Sequence, residues 1–300
     1  MAGKIKYKIA RRKILKDDRQ KWGDYVPPDD LELLSNVIYG PERKWNTADI
    51  FFSCNTAGKL PVIIVIHGGG YALCDKSLDS RFSENLAHHG FSVVNMNYRL
   101  APEFHYPAPL EDINMLLFAL AENASRWHAD EKNVFITGDS AGAQLTFQYA
   151  LMKSNAAYGS LFDFEIEKDC CVRAIAPSCG LYDLRYVYDD ELKEVCTEYA
   201  AAPENLEKIY GRQLFCTDFL NENFPPAFVI TSYYDMMLRY AQPLCEDLRR
   251  HGTENELHIY GSLSEPEIGH SFNTQIQFDE AKRCANEMCA FFKTHIKNQL

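Results

Sequence analysis

Val134-Phe135-Ile136-Thr137-Gly138-Asp139-Ser140-Ala141-Gly142 decides how the rest of the chain is read. A β-branched and aromatic run stops at a glycine, and an alanine-containing helical pattern from 141 to 152 starts at once. Ser140 has a glycine two residues away on each side, the Gly-x-Ser-x-Gly spacing of a nucleophile elbow. A strand that turns straight into a helix strains the residue at the tip and pushes its side chain outward. Strand and helix then approach so closely that the flanking positions have no room for a β-carbon. The tip is also a helix N-terminus, where free N–H groups and the helix dipole favour developing negative charge. The plain alternative is a capping serine at an ordinary strand–helix junction.

Outward from this point, strands alternate with helices. Upstream, Val62-Ile63-Ile64-Val65-Ile66 is a continuous β-branched run, as in a strand buried on both faces of a parallel sheet, and it ends in His67-Gly68-Gly69-Gly70-Tyr71. Residues 49–53 read as a short strand, and 31–40 as a short helix leading into it. A helical pattern over 81–89 is followed by a strand over 91–96, the proline-marked loop Tyr98-Arg99-Leu100-Ala101-Pro102-Glu103, and a helix over about 110–127. Downstream, strands are expected at 172–176, 226–231 and 256–260, with helices at about 238–251 and 275–297. This alternation implies an α/β fold with a mostly parallel central sheet and right-handed crossovers. Segment 181–225 is too long for a plain connection and reads as a lid or cap.

The chain of 300 residues is read as one catalytic domain, and its 46% hydrophobic content can fill a large core. A net charge of −11 argues against nucleic acid or an anionic membrane surface as the main partner. No apolar run is long enough to span a bilayer. The basic N-terminus (Lys4, Lys6, Lys8, Arg11, Arg12, Lys13) lacks the apolar stretch of a signal peptide and reads as the solvated face of a terminal helix. A cytoplasmic location is expected. The ten cysteines are scattered without a Cys-x-x-Cys pair, so neither a zinc site nor a disulfide framework is implied and free thiols are expected.

Acyl transfer by a serine needs a base for its proton, a carboxylate to orient the base, and donors for the oxyanion. In sheets of this kind the acid and the histidine follow the serine in sequence, on loops after later strands. Of nine histidines, His270 in Ile268-Gly269-His270-Ser271-Phe272 is the one on such a loop; the others precede the serine or sit in helices or strands. Asp235 lies just past the strand over 226–231 and is the candidate acid, with a helix cap as its plainer role. Asp139, next to the serine, reads as a brace for the turn. Gly68, Gly69 and Gly70, together with Ala141, supply unobstructed backbone N–H groups for an oxyanion hole.

His67-Gly68-Gly69-Gly70, the 98–103 loop, Gly138-Asp139-Ser140-Ala141-Gly142, Asp235 and His270 together resemble the α/β-hydrolase fold in its hormone-sensitive-lipase-like esterase branch. The resemblance runs from about residue 50 to the C-terminus. It implies Ser140 as nucleophile, His270 as base, Asp235 as its orienting acid, and Gly69, Gly70 and Ala141 as oxyanion donors with Gly68 supporting the loop. Arg99 and Glu103 would be structural, and a cap would come from residues 1–45 and part of 181–225. Ala143 departs from the family's frequent glycine, and Met236-Met237 from its usual Pro-Leu. The expected activity is hydrolysis of short carboxylic esters, without cofactor or metal. Amidase, formamidase or carbohydrate deacetylase action would use the same site, and a binding protein on this fold would be expected to lack the serine or the histidine. A homodimer is compatible with the resemblance. The expected cap carries Asp183, Arg185, Asp189, Asp190, Glu191, Lys193, Glu194, Glu198 and Glu204 among tyrosines 182, 186, 188, 199 and 210, a surface suited to small, partly polar esters.

Overall fold

Strand β3 (Leu60–Ile66) shows why its sequence is apolar at consecutive positions. Val62, Ile64 and Ile66 enter one hydrophobic core, while Ile63 and Val65 enter a second on the opposite face. Alternating side chains with two buried faces leave no solvent side for polar residues.

The computed structural model describes residues 2–22, 26, 28–184, 187 and 190–297. Around β3 are β1 (Leu31–Ile38), β2 (Thr47–Ser53), β4 (Ser92–Met96), β5 (Ala129–Asp139), β6 (Val172–Ser178), β7 (Ala227–Ser232) and β8 (Asn255–Tyr260). They form an eight-stranded sheet in the order β1-β2-β4-β3-β5-β6-β7-β8. The β1–β2 and β2–β4 pairs are antiparallel and the remaining neighbours are parallel. Helices α2 (Ser80–His88) and α9 (Asp279–Thr294) pack on one face, contributing Phe82, Leu86, Met288 and Phe292 to its core. Helices α3 (Ala108–Asn123), α4 (Ala141–Ser154) and α8 (Leu238–Arg250) cover the other, with the short α5 (Ala156–Gly159) beside α4.

Residues 31–38 correct the sequence reading: they form edge strand β1, not a helix. A bulge between Leu34 and Val37 interrupts its pairing with β2, and Asn36 adopts φ 53° with its N–H donating to Asp49 Oδ1 at 2.7 Å. The bulge puts two apolar stretches out of phase, so the period-two signal is lost. Strand β5 also starts earlier than expected, at Ala129.

Helix α1 (Ala2–Trp22) is docked by Tyr7, buried against Ala72 and Ala101, and by Arg11. Arg11 donates from Nε to Ala72 O at 2.6 Å, and from a terminal nitrogen to Ala101 O and to Glu103 Oε2 at 3.1 Å. Its guanidinium also lies 5.0 Å from the centre of the Trp45 ring. Arg11 therefore joins α1 to both the glycine-rich loop and the 98–103 loop. Within the latter, Arg99 pairs with Asp112 at 2.7 Å and with Glu111 at 2.7 Å.

Helix α6 (Asp190–Tyr199) lies over the glycine-rich loop and is followed by α7 (Leu206–Tyr210). Tyr199 stacks on Tyr71 with centroids 3.8 Å apart, and Lys6 of α1 pairs with Glu194 at 2.6 Å. Tyr182 and Tyr199 are buried, and Asp183 is buried while accepting from Thr217 Oγ1 at 3.0 Å. These three side chains pack inward, away from solvent. Arg185, Tyr186, Tyr188 and Asp189 lie outside the described residues.

The tightest packing is at the start of α4. A β-carbon on Gly142 would lie 1.9 Å from Ile66 O, and one on Gly138 would lie 2.6 Å from the Gly142 backbone. Two turns away in the structure, a β-carbon on Gly180 would meet the Ala143 methyl at 2.7 Å and the Tyr182 ring at 2.8 Å. Gly211 is the contrasting case, with φ 56° and nothing within 4 Å of a built β-carbon. Gly142→Ala is expected to cost more than about 4 kcal/mol and to abolish soluble expression. Gly211→Ala should cost about 1 kcal/mol, from backbone strain alone, read as a small drop in the urea midpoint.

Candidate active site

Ser140 sits at the β5–α4 junction with φ 52° and ψ −114°. Such a conformation in a non-glycine residue costs about 1–3 kcal/mol and persists only where its surroundings enforce it. Here the Ser140 N–H donates to Ser178 O at 2.8 Å, and its carbonyl accepts from Ala143 and Gln144, starting the helix.

His270 comes from the loop between β8 and α9. Its Nε2 lies 2.9 Å from Ser140 Oγ and its Nδ1 lies 2.8 Å from Asp235 Oδ1. The loop is held on three sides. Ser232 Oγ donates to Gly269 O at 3.0 Å, Ser271 Oγ to Asp139 Oδ2 at 2.6 Å, and Ser178 Oγ to Asn273 Oδ1 at 2.8 Å. The His270 side chain is 32% exposed, whereas the Asp235 side chain is fully covered.

Asp235 follows β7. Its Oδ2 accepts from Thr231 Oγ1 at 2.8 Å, and its Oδ1 accepts from the Met237 N–H at 3.0 Å as well as from His270. The buried thiol of Cys179 is a further donor to it. Burial pushes the Asp235 carboxyl upward, but the bonds from His270, Met237 and Cys179 outweigh it and hold the group below its ordinary value. For His270, burial favours the neutral ring, yet the hydrogen bond and charge of Asp235, with the charge of Asp139, raise it above its ordinary 6.5.

The loop after β3 carries the glycines. Gly69 and Gly70 adopt φ 102° and 57°, open to glycine at little cost. A β-carbon on Gly69 would lie 2.6 Å from Leu73 O, and one on Gly70 would lie 2.7 Å from Val195 of α6. The N–H groups of Gly69, Gly70 and Ala141 meet no protein acceptor among the described residues. Gly68 differs: its N–H donates to Asp139 Oδ1 at 2.8 Å and so is engaged within the protein. His67 is buried beneath the loop, stacked on Tyr98 at 4.3 Å, with Nδ1 2.7 Å from Gly68 O. Burial lowers its pKa, so it stands as a neutral support.

Behind Ser140 the space is filled. Tyr71 OH donates to Gln144 Oε1 at 3.3 Å, Gln144 Nε2 to Gln148 Oε1 at 2.7 Å, and Gln148 Nε2 to the hydroxyls of Tyr106 and Tyr158 at 3.0 and 2.8 Å. Cavities of about 870, 630 and 670 Å³ lie elsewhere, none of them lined by Ser140, Asp235 or His270. The structure thus brings Ser140, His270 and Asp235 into one line, with Gly69, Gly70 and Ala141 on the two elements that meet at the serine. Sequence reasoning missed Cys179, Ser271 and Gln144. The glutamine had a signal, one helical turn after the serine; the cysteine had none, because its nearness to Asp235 is purely tertiary.

Parallel sheet, elbow and the Ser–His–Asp line define an α/β-hydrolase. The chain belongs to the BD-FAE family, whose model matches residues 48–248. Esterase LipQ of Mycobacterium tuberculosis is 30% identical over 153 residues, covering 50% of this chain and 36% of that protein. Carboxylesterase 20 of Arabidopsis thaliana is 38% identical over 132 residues, covering 42% and 39%. The matched stretch therefore spans less than two fifths of these curated relatives' lengths. Esterase B of Lactobacillus rhamnosis superposes with a TM-score of 0.83 over 98% of this chain and 96% of that one, at 21% identity. An esterase of the archaeon Pyrobaculum calidifontis gives 0.75 at 22% identity, over 96% of this chain and 93% of that one. At such identities the shared property is the fold.

Asp139 ties the glycine loop to the histidine loop, so its removal should loosen both. Asp139→Ala is expected to slow fluorophosphonate labelling of Ser140 by about tenfold or more, since small misplacements of reacting groups are costly. Asp139→Asn, which keeps an acceptor for the Gly68 N–H, should recover most of that rate.

Proposed function

We propose that this chain is a serine esterase hydrolysing short-chain carboxylic esters, acetyl to butyryl, through an acyl-enzyme. The observation carrying the reading is the unbroken line from Ser140 Oγ through His270 to Asp235, at 2.9 and 2.8 Å, on a strained elbow. His270 Nε2 takes the hydroxyl proton as Ser140 Oγ attacks the ester carbon. The N–H groups of Gly69, Gly70 and Ala141 receive the developing oxyanion. Asp235 keeps the Nδ1 proton in place and stabilises the imidazolium, which then protonates the leaving alcohol. A water molecule, deprotonated by the same nitrogen, releases the acid and restores the serine. Gly68 and Asp139 hold the loops and take no part in the chemistry.

In this reading the chain is one α/β domain with a cap built on α1 and on α6 with α7. Preference for short acyl groups is supported by what fills the space behind the elbow. The Tyr71–Tyr199 stack and the Gln144–Gln148 network occupy it, and α6 closes on Gly70. Each added methylene that found room would contribute about 0.8 kcal/mol, so a filled pocket removes the gain that rewards longer chains.

A panel of p-nitrophenyl esters from C2 to C12, run with matched anilides and acetylated sugars, tests the reading. kcat/KM is expected to peak between C2 and C4 and to vanish in Ser140→Ala. A maximum at C10, or turnover of anilides or acetylated sugars in preference to esters, would overturn the assigned substrate class.

The pH profile is a second test. The neutral form of His270 is the base, so kcat/KM should rise with pH through a single group lying above 6.5. Asp139→Asn removes a charge that favours the imidazolium, and its acid limb should move to lower pH. An unmoved limb would show that the titrating group is not His270.

A further inference from the structure

Cys179, Asp235 and His270 are distant in sequence, yet Sγ, a carboxylate oxygen and a ring nitrogen lie within 4.8 Å of one another. Among the described residues this is the one such cluster of three possible metal ligands. We propose that it is an inhibitory site for a soft divalent cation of the zinc type, which switches the catalytic line off by capturing its acid and its base together.

The donor set fits. Thiolate, imidazole and carboxylate are the ligands that zinc takes in tetrahedral sites, at about 2.3, 2.0 and 2.0 Å respectively. Those bonds place the ligand atoms about 3.3–3.5 Å apart, inside the 4.8 Å span of this cluster. The His270–Asp235 separation, now 2.8 Å, has to open by about half an ångström, and Sγ already lies within 4.8 Å of both partners. Two of the three ligands are already fixed. Cys179 is held by its N–H bond to Ile230 O at 2.8 Å, and Asp235 by Thr231 and Met237. His270, the partly exposed member, provides the way in.

Charge favours the exchange as well. With a protonated thiol, an ionised carboxylate and a neutral ring, the buried cluster carries one negative charge. A divalent cation that displaces the thiol proton leaves the cluster with no net charge. Asp139, whose field already favours positive charge at His270, adds to the attraction.

The balance is simple. Bonds form from the metal to Sγ, Nδ1 and a carboxylate oxygen, and a fourth position stays open to water. The thiol proton leaves to solvent, and the imidazole proton passes from Nδ1 to Nε2. Nε2 then presents a hydrogen to Ser140 and cannot accept one. Removing the metal reverses each step.

The test uses the full chain, freed of metal by dialysis and titrated with Zn²⁺ or Cd²⁺, with Mg²⁺ as a hard-ion control. Zn²⁺ should inhibit ester turnover reversibly, with EDTA restoring it, and Mg²⁺ should not. In Cys179→Ser, which keeps a donor to Asp235 but offers a poor zinc ligand, the inhibition constant should rise at least about tenfold. The second readout does not depend on catalysis: the Cd²⁺–thiolate ultraviolet band should lose one thiolate's intensity in Cys179→Ser and in Cys179→Ala. This arm remains decisive if the chain proves to hydrolyse no ester. Equal bands and equal inhibition in wild type and both variants would overturn the site.

Discussion

The bare Cα of Gly142 against the carbonyl of Ile66 is the contact on which the site depends. It lets the first turn of α4 rest on the end of β3, where any side chain would hold the two apart. Because β3 continues directly into the glycine-rich loop, the same contact sets that loop beside Ser140. The N–H groups of Gly69 and Gly70 from one element and the Ser140 hydroxyl from another thus share a position fixed by backbone packing. The strain stored at Ser140 is sustained by the same packing, through the bond to Ser178 and the start of α4.

Charge is distributed around this frame by hydrogen bonding more than by burial. Asp235 and Asp79 are both buried carboxyls, and they shift in opposite directions. Asp235 is met by hydroxyl, amide, imidazole and thiol donors and stays ionised. Asp79 has an oxygen with no partner, faces Asp139, Asp75 and Asp18, and is pushed well up by burial and by those charges. Asp139 spends both oxygens on neighbouring loops, accepting from the Gly68 N–H and from Ser271 Oγ. The two bonds direct its charge toward the glycine-rich loop and the loop of His270.

Much of the fold was legible because parallel strands buried on both faces leave an unmistakable apolar run. Seven of the eight strands gave such a signal or a turn that bracketed them. β1 did not, because its bulge breaks the alternation on which the reading rests. The line of Ser140, His270 and Asp235 could be placed from motif and chain order alone. Assignments that required contacts between distant segments could not. Gly68 resembled its neighbours in sequence, and only its bond to Asp139 separates it from them. Tyrosines 182 and 199 read in sequence as part of an amphipathic surface, yet both are buried, Tyr199 against Tyr71 and Tyr182 against Phe147. Cys179 carried no motif at all, since only the folded sheet brings it to Asp235.

The contact between Ala143 and Gly180 constrains substitution at both positions. The methyl of Ala143 fits because residue 180 has no side chain. A glycine-to-alanine change at 143 is therefore admissible only in a chain that already has glycine at 180. Once made, it closes the return path, because any side chain at 180 then meets that methyl as well as the Tyr182 ring. The two positions are thus coupled by packing, so neither can be varied as if it were independent of the other.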